Sequence, residues 1–135
     1  MKAFREAVEN RDLHAMEALL ADDVVFSSPI VYAPYHGKAI TMAILTNVIE
    51  VFENFRYDRE IGADGAADTA LVFLADVDGR TLTGCDFIHV NEHGLIDELM
   101  VMVRPLSGAN ALAAAMTARF DQITEQAAGH ISAPM

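Results

Sequence analysis

The sequence predicts an α+β fold in which helices pack against one face of a curved antiparallel sheet. Three observations predict it. Helical apolar periodicity is confined to the first 52 residues and to the region after Pro105, while the stretch between them carries four strand-like segments. Two of those segments, Thr81–Val90 and Leu95–Val103, are rich in β-branched and large apolar residues and are joined by the turn Asn91-Glu92-His93-Gly94. Asp78-Gly79 is a strong two-residue hairpin signal ahead of the first of them. Separate blocks of helix and strand imply segregated layers.

Residues 2–9 read as a first helix with Phe4, Ala7 and Val8 on one side, broken by Asn10-Arg11-Asp12. Asp12 is a suitable N-cap for a second helix, Leu13–Ala21, which Asp22-Asp23 ends. Val24-Val25-Phe26 reads as a short strand, stopped by Ser27-Ser28-Pro29; Pro34 and Gly37 punctuate the loop that follows. Ile40, Ile44, Val48, Val51 and Phe52 give a third helix, about Lys38 to Phe52, an apolar face. Asn54–Ile61 alternates, with Phe55, Tyr57 and Ile61 on one side and Arg56, Asp58 and Glu60 on the other. Thr69–Val77 and Arg80–Val90 form a hairpin, Leu95–Val103 follows, and an Ala-rich helix is expected from about 106 to 128, with a flexible tail over 129–135. One domain over 1–128, with a core of 1–104, accounts for the chain of 135 residues.

Composition excludes several function classes. The net charge of −11 disfavours nucleic acid, whose phosphates are bound largely by Lys and Arg, and equally disfavours an anionic membrane surface. No apolar run reaches the ~20 residues of a membrane span. Met1-Lys2-Ala3-Phe4-Arg5-Glu6 lacks the apolar core of a secretory leader, and Cys85 is the one cysteine, so a cytoplasmic location is expected. Five scattered His and one Cys give no zinc-ligand spacing. No phosphate-binding loop, dinucleotide fingerprint or nucleophile-elbow motif occurs. Neither a metal nor a cofactor is expected.

Asp86, in the middle of an apolar strand, is the main chemical signal. An isolated buried carboxylate is costly, so it must be paired, hydrated by a cavity or neutralised. Partners open to it are Arg59, Arg104 or a backbone amide; facing an apolar cavity instead, it has a raised pKa and serves as an acid. Alternation puts Asp86, Ile88 and Val90 on one face of their strand and Cys85, Phe87 and His89 on the other; Leu99, Val101 and Val103 oppose Met100 and Met102. A sheet apolar on both faces must be covered on both, and the helices suffice for one. A homodimer is therefore expected on the outer face, near Phe87, His89, Met100 and Met102. Cys85 has no neighbouring cation in sequence and reads as an inert thiol.

Two stretches carry a family resemblance: Ala21-Asp22-Asp23-Val24-Val25-Phe26-Ser27-Ser28-Pro29 with Gly37 and the helix after it, and Asp86-Phe87-Ile88-His89-Val90-Asn91-Glu92-His93-Gly94-Leu95-Ile96. With the element order, they resemble the nuclear transport factor 2-like superfamily, in its SnoaL-like polyketide cyclase and ketosteroid isomerase-like branch, over roughly residues 1–104. The resemblance implies a cystatin-like α+β roll whose cone-shaped sheet encloses a ligand cavity. Steroid isomerases of this superfamily combine a carboxylate base with a Tyr and a protonated Asp that donate to the oxyanion. Here the base position falls on Ser28 and the tyrosine position on Phe4; only the oxyanion-type Asp is retained, as Asp86. The SnoaL-like cyclases rely on an Asp and a His, for which Asp86 and His36 are the candidates, His89 lying on the opposite face. The Asp-Arg-Asp relay of the limonene epoxide hydrolases finds Asp86 and Arg104 but no second carboxylate.

The catalytic candidates are thus Asp86 and His36. Phe4, Ser28, Tyr32, Tyr35, Ile44, Phe73, Leu99, Val101 and Val103 are the candidates for binding a small, mostly apolar carbonyl compound. Acid–base isomerisation, cyclisation or hydration on one side, and a non-catalytic binder or dimeric interaction module on the other, stay open at this level.

Overall fold

The computed structural model describes residues 1–132. The element order is α1 (Lys2–Glu9), α2 (Leu13–Leu19), β1 (Leu20–Ser27), β2 (Tyr35–His36), α3 (Lys38–Val51), β3 (Glu53–Ile61), β4 (Asp68–Val77), β5 (Arg80–Val90), β6 (Ile96–Arg104), α4 (Leu106–Thr117) and α5 (Phe120–Ser132). The strands form one curved, open sheet in the order β2-β1-β6-β5-β4-β3. β3 to β6 make the expected antiparallel meander.

Two local readings change. β1 covers eight residues rather than three and runs parallel to β6, so the sheet is mixed. Asp22 and Asp23 hide the strand in the sequence: both are exposed, in a stretch where the register with β6 shifts between Leu20 and Val25. The C-terminal region is two helices, separated at Ala118-Arg119. That break lets α5 turn back onto α3. α5 also continues through Gly129 to Ser132; residues 133–135 of the expected tail lie outside the described residues.

Local chemistry explains the other elements. Asp12 caps α2, its Oδ1 accepting the Ala15 N–H at 3.0 Å. Asp78 and Gly79, with φ of 50° and 74°, make the tight β4–β5 turn that the sequence signalled. Gly84 is required for close packing: a Cβ there would lie 2.1 Å from Phe73 Cζ, so the ring of Phe73 lies directly over the β5 backbone. The core fills the concave side, where Phe4, Met16, Val24, Leu71, Phe73, Leu82, Ile96 and Leu99 are almost fully buried between helices and sheet.

α5 is held to α3 by polar groups as well as by packing. Asn47, fully buried on α3, donates from Nδ2 to the Ala43 carbonyl (2.8 Å) and to Gln126 Oε1 (2.7 Å). Its Oδ1 accepts from Gln122 Nε2 (3.1 Å) and Arg119 (3.3 Å), and Arg119 is also bound by Glu50 at 2.7 Å. This clasp positions α5 beside the cavity described next.

Candidate functional site

The concave side is not completely filled. Between α1, α3, α4, α5 and the sheet lies a cavity of about 250 Å³, open at one side. Its walls are almost wholly apolar: α3 contributes Ile40, Ile44 and Val48, and α4 and α5 contribute Leu112, Met116 and Ile123. At its inner end stands a polar pair. Asp86 on β5 is 7% exposed, and Tyr57 on β3 donates its hydroxyl to Asp86 Oδ2 at 3.1 Å. Tyr57 reaches across β4, whose Phe73 is the register partner of both Tyr57 and Gly84.

Aromatic packing fixes the tyrosine. Its ring meets Phe55 edge-on at 5.0 Å and Phe73 edge-on at 6.4 Å between centroids. The Arg5 guanidinium lies 5.7 Å from its ring centroid. Among the described residues no cation forms an ion pair with Asp86; neither Arg59 nor Arg104 serves, and Tyr57 takes that place. Among the described residues Asp86 Oδ1 has no hydrogen-bond partner, and it is not sealed from the cavity.

The electrostatics follow. Burial pushes the Asp86 carboxyl up to about 7, and the Tyr57 hydrogen bond opposes that rise. Burial, with the neighbouring Asp86 charge and hydrogen bond, holds the Tyr57 phenol well above its ordinary value. Near neutral pH the pair is therefore an undissociated phenol beside a carboxyl that can carry a proton. Such a group donates a hydrogen bond to a ligand carbonyl, or gives up the proton.

The structure brings together most of the candidate residues. Phe4, Ser28, Tyr35, Ile44, Phe73, Asp86, Leu99 and Val101 all line the cavity. Ser28 also accepts the N–H groups of Ile30 (3.2 Å) and Val31 (3.0 Å), so it shapes the turn after β1. Tyr32 is fully exposed, and Val103 lies outside the lining. His36 is exposed on β2, paired in register with Val25, and does not join Asp86. The reason is geometric: the two-residue strand β2 sits at the sheet edge, with β1 and β6 between it and β5.

Tyr57 was missed as a site residue, although the signal was present. It lies on the inward side of an alternating strand, and a buried tyrosine hydroxyl needs a partner. The lone inward carboxylate was the natural one.

On the convex face, alternation places side chains as expected. Phe87, Met100 and Met102 are 43%, 42% and 55% exposed, with Phe87 opposite Met100 and Cys85 opposite Met102 in register. His89 bonds Asp97 at 2.5 Å, which raises its pKa.

Among curated proteins none matches this sequence. Solved structures do. A steroid delta-isomerase from Pseudomonas aeruginosa is 36% identical, with 90% of this chain and 89% of that one aligned and a TM-score of 0.83. An uncharacterised protein with a cystatin-like fold from Silicibacter pomeroyi is also 36% identical, covering 93% and 92% of the two chains at a TM-score of 0.82. RV0760c from Mycobacterium tuberculosis, solved in complex with estradiol-17beta-hemisuccinate, shares the fold at 21% identity, covering 77% of this chain and 94% of that chain with a TM-score of 0.60. The sequence profile of the SnoaL-like domain matches residues 1–99, and with these likenesses it establishes that the chain belongs to the SnoaL-like family of the nuclear transport factor 2-like superfamily.

Proposed function

We propose that the protein binds a small, mostly apolar carbonyl compound with its oxygen at Asp86, and that any chemistry there is proton donation by that one group. The observation that carries this reading is the carboxyl itself: buried, protonatable near neutrality, bonded on one oxygen by Tyr57, and with its other oxygen on an apolar cavity. The volume of about 250 Å³ lies just below the ~300–1,000 Å³ of ordinary ligand pockets, which favours a ligand of terpenoid or short polyketide size. Acid help of this kind supplies ~10²–10⁴-fold.

The second reading is steroid isomerisation, favoured by the 36% identical steroid delta-isomerase. It needs an ionised base and a protonated acid in one cavity. Asp86 is the one carboxylate on the lining among the described residues, and Ser28 and Phe4 stand at the expected base and tyrosine positions. One carboxyl does not fill both roles at once, and a serine takes no proton near neutral pH without a base beside it. Standard spectrophotometric assay of a Δ5-3-ketosteroid should give no turnover above background. Robust turnover abolished by Ser28→Ala would favour the isomerase instead.

The binding reading is tested with the methyl ester of 9-oxodecanoic acid labelled with ¹³C at the ketone. Binding at pH 6 should move the ketone resonance downfield, as hydrogen bonding to an acid does, and Asp86→Leu should abolish that shift. Binding without a shift, or a shift that survives Asp86→Leu, removes Asp86 from ligand recognition.

The convex patch of Phe87, Met100 and Met102 favours a homodimer with these residues at the two-fold contact. Sedimentation at micromolar concentration should then give about 29 kDa, twice the 14.7 kDa chain; a clean monomer rejects it. No helix among the described residues is long and apolar enough to cross a membrane. The lone cysteine favours the cytoplasm as its compartment.

A further inference from the structure

Phe4, Val8 and Arg11 are spaced i, i+4 and i+7, which follows one side of α1 and the turn after it. All three line the cavity, so an apolar stripe ends in a cation. Arg11 is both exposed and on the lining, which places it at the rim, where Ile30, Val31 and Phe120 are the other exposed lining residues of large apolar type (41%, 44% and 62% exposed). Among the described lining residues only Arg11 and Asp86 carry an acidic or basic side chain.

Arg11, like Lys2, Arg59, Arg80 and Arg104, forms no ion pair among the described residues, and of these five it is the one on the cavity lining. Arg5 is paired with Glu9 and Glu60, Lys38 with Asp22, and Arg119 with Glu50. The Arg11 side chain has neither an ion pair nor a hydrogen bond among the described residues. Its backbone is nonetheless well defined. The Arg11 N–H bonds the Val8 carbonyl at 3.0 Å, and the Asp12 N–H bonds the Ala7 carbonyl at 2.9 Å. Its φ of 52° lies in the left-handed region that favours glycine, so a long cationic side chain occupies a position where glycine would fit more easily.

The spacing to the polar pair is set by α1. Arg5, over the Tyr57 ring, marks where the helix passes the inner end of the cavity. From there α1 runs four residues further, a rise of about 6 Å, before the turn at Asn10 that carries Arg11. We propose that Arg11 is an anion subsite at the cavity mouth, and that the ligand is an amphiphile whose apolar body joins a carbonyl at Asp86 to a carboxylate at Arg11. A planar guanidinium receives a carboxylate through two parallel hydrogen bonds. The acidic surface, at net charge −11, gives an anion no general attraction, so recognition rests on this one side chain. The inference rests on the pocket reading above and adds a second recognition point to it.

The experiment compares 9-oxodecanoic acid with its methyl ester by calorimetric titration at pH 6. The two probes share length and ketone and differ in the terminal charge. The acid should bind wild type about fivefold more tightly than the ester, the size expected of a rim ion pair. Arg11→Gln should abolish that preference, so that acid and ester bind alike, Arg11→Lys should keep part of it, and added salt should reduce it in wild type. Position 11 is exposed, so these variants fold; a circular dichroism melt matching wild type checks it. If the ester binds and the acid is no tighter, or if the preference survives Arg11→Gln, the anion subsite is wrong and the pocket reading stands. If neither probe binds wild type, the pocket reading falls and the subsite with it.

Discussion

Asn47 and Asp86 are both buried polar side chains on the inner side of the fold, and their surroundings differ in one respect. Asn47, in the α3–α5 contact, has four partners: the Ala43 carbonyl, Gln126, Gln122 and Arg119. Asp86, on the sheet beneath the cavity, has one among the described residues, Tyr57, and its other oxygen faces the cavity. Saturated polar groups fix a packing arrangement, because a buried donor or acceptor left unpaired costs most of its desolvation. An unsaturated one retains hydrogen-bonding capacity for a ligand. The contrast separates the part of the molecule that holds its shape from the part that is available for recognition.

The largest effect is expected where saturation is broken. Asn47→Leu removes a fully buried hub of four hydrogen bonds that ties α5 to α3, costing about 3 kcal/mol in urea unfolding. A neutral result would mean that apolar packing alone holds α5 in place.

Asp86→Asn should act in the opposite direction, and the sign follows from its raised pKa. The native state holds the proton more tightly than the unfolded chain, so this group's contribution is complete below about pH 4 and is lost as pH rises toward about 7. The charged and titratable groups around the pair are Tyr57, with Arg5 over its ring and the charge of Glu9 also acting on the phenol. At pH 8 wild type carries an unpaired buried charge and the amide does not. Asp86→Asn should be more stable by about 2 kcal/mol there and nearly equal to wild type at pH 4. Thermal melts at the two pH values check this; strong destabilisation at both would mark Asp86 as a structural residue.

Tyr57→Phe should cost about 1 kcal/mol. Because the phenol hydrogen bond lowers the Asp86 pKa, its loss should move that pKa further up, readable from the ¹³C carboxyl shift across the titration. A downward movement would show that the phenol does not stabilise the ionised carboxylate. The smallest effect is expected at His36: His36→Ala should change stability by less than ~0.5 kcal/mol and leave ligand binding unaltered, and a loss of binding would bring β2 into the site.

Strand alternation explains how much of this was legible in the sequence. It places Asp86, Leu99 and Val101 inward and Phe87, Met100 and Met102 outward, because a strand's side chains take opposite faces whatever surrounds it. The Asp78-Gly79 turn and the apolar stripe of α3 are likewise local consequences of φ preference and helical period. His36 shows the limit: a histidine in a loop near a cavity in sequence gives no measure of which strand it will join. The β1–β6 parallel pairing has no local signature either, since the register that joins Phe26 to Leu99 links residues far apart in the chain.

The sequence by itself determined the α+β class, the inward faces of β5 and β6 and the burial of one carboxylate, since these depend on periodicity and on side-chain chemistry; on β3 a register shift after Tyr57 turns Ile61, read as inward, out to solvent. Only the tertiary structure decided that Tyr57 would reach across β4 to that carboxylate, that the C-terminal helix would break at Ala118-Arg119 and clasp Asn47, and that Arg11 would stand at the cavity rim. Each of these is a meeting between elements distant in sequence, fixed by how helices and sheet pack and not by any propensity of the residues that meet.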